Sequence, residues 1–272
     1  MTEYIRKGIR YVLLAILIIG LEASCRHIYQ SLQSESSYRE AQELVNMTGT
    51  EEMFETSEAE TELTGPELRI YEQKSTMALL EQINIDKLKE VNQDVTGWIV
   101  IPNTQIAYPL MGGTGNSYYL DHTWKREVNS GGAIFIEEKN SLDLQNHNTI
   151  IYGHRMRNGS MFGSLKEYQK QEYWEEHPEI YIRVDERCLR YEIFSAYEAS
   201  VSGLTYQVGF EDEESKQKFL EDCTKRSVIS TGIVPQNEDR ILTLSTCTGR
   251  GYSTRWVVQA RLVQSLEVSV SG

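Results

Sequence analysis

Beyond Gly97 the chain is cut into short apolar runs, and this spacing constrains the fold more than any other feature of the sequence. Eight runs rich in β-branched and aromatic residues, at 98–101, 106–110, 133–136, 149–152, 180–184, 189–197, 241–246 and 256–263, are separated by Gly, Pro and Asn. Short runs bounded by turn formers read as strands. Eight of them predict a mostly β domain, an eight-stranded barrel or a sandwich. Helical spacing shows in three places. Residues 68–92 carry apolar positions for two leading helices, with Asp86 as the expected cap of the second. Residues 210–227 alternate Phe210, Phe219, Leu220 and Cys223 with charges, as a surface helix does, and 163–174 can hold another short helix.

Charge divides the remainder. The chain carries a net −13, which disfavours binding to nucleic-acid phosphates. Ten Glu between Glu35 and Glu67 against the single base Arg39 give that stretch −9 of the total. Such a composition cannot bury enough apolar surface to offset its ordering entropy, so 31–66 is expected to be an acidic, flexible spacer. The alternative is a charged helix from about Tyr38 to Met47 packed on the domain. Ahead of the spacer, Tyr11 to Leu21 is continuously apolar and follows Arg6, Lys7 and Arg10. The run is short for a span, but a helix continuing to Tyr29 reaches across, with Arg10 and Arg26 at its ends. An uncleaved signal anchor over 1–30 is therefore expected, with the N-terminus inside and the folded part, 67–265, outside the cell membrane.

Chemistry gathers at the ends of strands. The run 150–152 leads through Gly153 into His154, and the run 242–246 delivers Cys247, with Arg255 at the start of the last strand. A thiol is a nucleophile only as thiolate, which a neighbouring imidazolium or guanidinium favours. The histidine can also protonate a leaving amine, and the arginine can stabilise an oxyanion. Spacing alone leaves this trio a weak signal. Four cysteines without a CxxC pair suggest neither zinc nor redox chemistry.

TLSTC followed by Arg255, together with YGHRMRNGSMFGSL, resembles the sortases, the membrane-anchored cysteine transpeptidases of Gram-positive bacteria, and specifically their class B. The resemblance covers about residues 85–263 and includes SYYLDHTW, GGAIFIEEKN and HNTIIYGH. It implies a sortase-type barrel with leading helices and a surface helix before the cysteine strand. Cys247 would be the acyl-forming nucleophile, His154 the general acid/base and Arg255 the transition-state residue. Tyr152, Ser245 and Tyr206 would contact substrate. The implied partners are secreted proteins with a C-terminal sorting signal and, as acceptor, an amine of peptidoglycan or its lipid-linked precursor. No metal or organic cofactor is implied. Two departures stand out: the segment after Cys247 lacks acidic residues and adds Arg250, and Ala107 replaces a polar residue found in some relatives. A pilin-polymerising enzyme using a lysine acceptor, and a non-catalytic membrane-anchored barrel, are the alternatives.

The other histidines read as bland, His147 as a turn residue and His122 and His177 as surface positions. Cys188 and Cys223 read as buried thiols, with a 188–223 disulfide as the alternative.

Overall fold

A computed structural model of the chain describes residues 2–45, 65–247 and 253–268. Helix α1 (Thr2–Leu44) precedes α2 (Gly65–Gln82) and α3 (Ile85–Val91). The cap of α3 is Asn84, whose side chain accepts from the Lys87 N–H, so Asp86 lies inside the first turn instead of capping it.

Eight strands follow: β1 (Val95–Val100), β2 (Ala107–Met111), β3 (Ile134–Ile136), β4 (Asn148–Tyr152), β5 (Glu179–Val184), β6 (Arg187–Ser200), β7 (Ile241–Cys247) and β8 (Thr254–Glu267). They close into a barrel in the order β1-β2-β3-β4-β7-β8-β6-β5. All neighbours are antiparallel except β2 with β3 and β4 with β7. The segment 163–174 divides into a 3-10 turn, Gly163–Gln169, and a short helix, α4 (Gln171–Glu176). The surface helix is α5 (Glu213–Arg226), closed at its start by a capping box between Asp212 and Ser215.

Alternation along the strands sorts the side chains into two cores. Ile151, Leu242, Leu244 and Val258 point into the barrel and join the main core. Their neighbours on the other face, Tyr197, Ile241 and Val257, pack outside the wall beneath Phe219, Leu220 and Cys223 of α5. The same outer face of the wall, at the Cys247 end of β7, carries the candidate site.

The first part of the acidic stretch is not a spacer. Residues 31–44 continue α1, and Tyr38, Ala41 and Val45 form a buried stripe against the barrel. Tyr38 Oη donates to the Gly132 carbonyl at 2.6 Å, Trp124 Nε1 donates to the Ser37 carbonyl at 3.0 Å, and Lys125 pairs with Glu40 at 2.9 Å. The acidic side chains line the solvent side and mask a three-position apolar stripe. The rest of the expected spacer, 46–64, lies outside the described residues, as does Arg250.

The expected membrane-crossing anchor meets a geometric limit. Among the described residues no helix is long and apolar enough to cross a membrane. Helix α1 has the length, but its run from Tyr11 to Leu21 rises only about 16 Å at 1.5 Å per residue, against a hydrocarbon core of about 30 Å.

Candidate active site

Two strand registers converge on Cys247. In the parallel pairing of β4 with β7, Tyr152 lies opposite Ser245. The backbone continues this pairing, with the Gly153 N–H donating to the Ser245 carbonyl at 3.2 Å. Two residues beyond the Tyr152–Ser245 pair, His154 stands beside Cys247. In the antiparallel pairing of β7 with β8, Cys247 faces Arg255. Paired residues project from the same face, so imidazole, thiol and guanidinium share the outer wall.

Close packing holds this junction. A Cβ on Gly153 would meet Ile134 Cδ1 at 2.4 Å and Phe162 Cδ2 at 2.7 Å, so only glycine lets the strand pass here. Gly132 has φ of +57°, and a Cβ there would lie 2.5 Å from the Tyr119 carbonyl oxygen and 3.0 Å from His154 Cδ2. The imidazole therefore rests on bare backbone.

His154 Nε2 lies 2.6 Å from the Leu120 carbonyl oxygen. A carbonyl only accepts, so Nε2 carries a proton and Nδ1 is the ring nitrogen left for Cys247. The hydrogen bond to Cys247 holds the His154 pKa above the ordinary value, against the opposing effect of burial. That same bond holds the Cys247 thiol below its ordinary range, with further help from the positive charge of Arg255. Both directions favour a thiolate–imidazolium pair.

Tyr152, Tyr206 and Ser245 lie on the adjoining wall. Tyr206 sits in a 3-10 turn, Leu204–Tyr206, and its Oη is 2.8 Å from Ser245 Oγ. The Tyr152 and Tyr206 rings are nearly parallel, with centroids 6.4 Å apart. Burial pushes the Tyr206 phenol up to about 12, so it stays protonated as a donor. These tyrosines, Arg255, Val201, Asn116 and Glu137 line a groove of about 360 Å³.

The structure thus brings the six residues expected from the sequence onto one outer wall, and of these Tyr152, Tyr206 and Arg255 line the groove. It adds two that sequence reading missed. Glu137 Oε2 accepts from both Tyr152 Oη and Asn116 Nδ2, each at 2.8 Å. Glu137 immediately follows β3, so the strand-end signal that selected His154 and Cys247 applied to it as well. The Leu120 carbonyl is a backbone atom and leaves no mark in residue identity.

The other thiols are chemically quiet. Burial pushes both Cys188 and Cys223 up to about 11. They are free and belong to different cores, Cys188 in the main cluster beside Arg183 and Glu81 and Cys223 on α5 in the other, which is why the 188–223 disulfide does not form. His147 is half-buried against Phe210 and Phe219, and His177 Nδ1 lies 3.1 Å from the Pro102 carbonyl oxygen. His122 contacts Asp121 and stacks on Tyr118.

Comparison with known proteins agrees with this arrangement. The model of the Sortase domain family matches residues 99–263. Sortase B of Staphylococcus aureus is 35% identical over 183 residues, 66% of this chain and 74% of that protein. Sortase B of Listeria monocytogenes is 34% identical over 178 residues, 65% of this chain and 72% of that one. A solved Staphylococcus aureus sortase B–substrate complex superposes with a TM-score of 0.69 at 28% identity, covering 87% of this chain and 99% of that chain. The Clostridium perfringens sortase B structure superposes with a TM-score of 0.62 at 30% identity, covering 66% of this chain and 100% of that chain. Relatives named sortase B do not favour the pilin-polymerising alternative. With its closed eight-stranded barrel and the Cys247 strand inside the matched region, this chain belongs to the sortase family, as a cysteine transpeptidase of the sortase B kind.

Proposed function

We propose that this transpeptidase cuts a C-terminal sorting signal after Thr and joins the released protein to a peptidoglycan amine, with Cys247, His154 and Arg255 as its reacting groups. The Cys247 thiolate attacks the threonine carbonyl carbon, and the Arg255 guanidinium stabilises the oxyanion that forms. As the C–N bond breaks, His154 gives its proton to the departing amine, leaving a thioacyl enzyme. The acceptor amine then attacks that carbonyl, His154 takes the proton, and the thiolate leaves. Tyr206, Ser245 and Tyr152 hold the signal peptide along the groove.

The observation that carries this reading is the double register that brings His154 and Arg255 to opposite sides of one thiol. The test uses the full chain in mild detergent, mixed with sorting-signal peptides of the NPxTN and xPxTG types. Intact mass is read with and without hydroxylamine. An acyl adduct that hydroxylamine removes and that Cys247→Ala abolishes is the expected result. No adduct with any peptide, while iodoacetamide still labels Cys247, overturns it.

The N-terminal segment attaches the enzyme to the membrane at the cell surface. Leu13, Leu14, Ile16, Leu17, Ile18, Ile19 and Leu21 are all exposed on α1, a larger apolar surface than a soluble protein leaves in water. The domain limits that accompany this reading are 1–30 for attachment and 67–265 for the catalytic domain, with 31–66 between them and its first part, to Val45, docked on the barrel.

A further inference from the structure

Farther along the same outer wall lies a closed ring of buried polar side chains that the mechanism does not use. Asn148, Thr243, Gln259, Tyr197 and Thr205 are each no more than 1% exposed, and come from β4, β7, β8, β6 and the Leu204–Tyr206 turn. Asn148 Nδ2 donates to the carbonyls of Thr205 at 3.1 Å and Gln207 at 2.8 Å. Those two carbonyls bracket Tyr206. Asn148 Oδ1 accepts from Thr243 Oγ1 at 2.7 Å, and Thr243 Oγ1 accepts from Gln259 Nε2 at 3.0 Å. Tyr197 Oη donates to Gln259 Oε1 at 3.1 Å and lies 2.9 Å from Thr205 Oγ1, which closes the ring. Two carbonyls on one side and a hydroxyl on the other fix the orientation of the Asn148 amide.

A barrel wall needs no such ring for stability, because an apolar layer of the same shape serves as well or better. What the ring supplies is direction. Thr205 and Gln207 lie in a short turn outside any strand ladder, and Asn148 ties both to the first residue of the strand that leads to Tyr152 and His154. The turn then presents Tyr206 Oη to Ser245 Oγ.

We propose that Asn148 is a positioning residue for Tyr206, setting the substrate wall of the groove from the barrel's own backbone register. The link to substrate rests on the reading of the groove given under Proposed function. Asn148 is remote from the thiol along the strand, since its β7 partner is Ile241 at the opposite end from Cys247. Its effect therefore falls on peptide binding and not on thiolate chemistry.

Asn148→Asp keeps the shape and removes both donors, setting a carboxylate against two carbonyls. In the full chain it is expected to raise KM for the sorting-signal peptide about tenfold with kcat nearly unchanged. The Cys247 alkylation rate and its pH profile stay as in the wild type, and amide exchange at 204–208 quickens. In a Tyr206→Phe background the same substitution changes KM less than about twofold, because the two act on one wall. Multiplicative effects, a fall in kcat that follows the folded fraction at unchanged KM, or unchanged exchange at 204–208 would each overturn the proposal. If Asn148→Asp does not fold, Thr243→Val gives the same test by releasing Asn148 Oδ1 at constant volume. A wild-type chain that forms no acyl enzyme refutes the proposed function; exchange at 204–208 then decides separately whether Asn148 holds the turn.

Discussion

Reactivity at the residue scale depends on how two pKa values move toward one another. The hydrogen bond between them lowers that of Cys247 and raises that of His154. As pH falls through the depressed Cys247 value the thiolate is lost; as pH rises through the elevated His154 value the proton needed by the leaving amine is lost. Peptide cleavage is therefore expected to follow a bell-shaped curve between those limits. Cys247 alkylation should persist below about 8.5, the ordinary thiol value. In His154→Ala the alkylation midpoint should move up toward that ordinary value, since His154 is the largest of the lowering influences. A midpoint unchanged by that substitution would mean that the positive charges of Arg255 and Arg155 set the thiol. At this scale the sequence was informative for the proposed reacting side chains, because His154 and Cys247 sit where an apolar run stops and Arg255 where one begins. It was silent on the Leu120 carbonyl and on Asn148, which act through backbone atoms of loops distant in the chain.

Among the elements, the exit of β4 is the most tightly constrained. Gly153→Ala would press a methyl group into Ile134 and Phe162 on a strand whose register places the imidazole. It should cost about 1–3 kcal/mol by overpacking, seen as a lower midpoint in denaturant unfolding, and should reduce acylation by a larger factor than the stability loss explains. Wild-type acylation in a folded Gly153→Ala chain would show that this junction has slack. All eight strands were legible, since turn residues separate runs that alternate or are wholly apolar. Their ends were less so: β6 runs from Arg187 to Ser200 because its polar ends pair with β8, and pairing partners do not show in the pattern of one strand. The parallel register of β4 on β7, which makes the site, had no local signal at all.

For the molecule as a whole, the surprise is how far the N-terminal helix reaches. Its polar, Glu-rich surface read as solvated chain, because few apolar positions, the buried Tyr38, Ala41 and Val45 and the partly buried Leu44, pack on the core. Removing residues 1–45 would expose Tyr108 and Trp124, break the bond from Tyr38 to Gly132, and leave the Trp124 indole without its carbonyl partner. A loss of about 3–5 kcal/mol is expected from that apolar area and those bonds, and a melting temperature lower by about 10 °C. An unchanged melting temperature would mean that the helix rests on the barrel without stabilising it. Because β4 and β7 pair across a long excursion of chain, and β8 comes later still, a nascent polypeptide emerging N-terminus first holds the histidine long before it holds the cysteine. Until β7 docks beside β4 the thiol keeps the reactivity of free cysteine. On the proposed assignment of Cys247 the enzyme is thus born unarmed, and its nucleophile is switched on by completion of folding, after transit through any channel too narrow for a closed barrel.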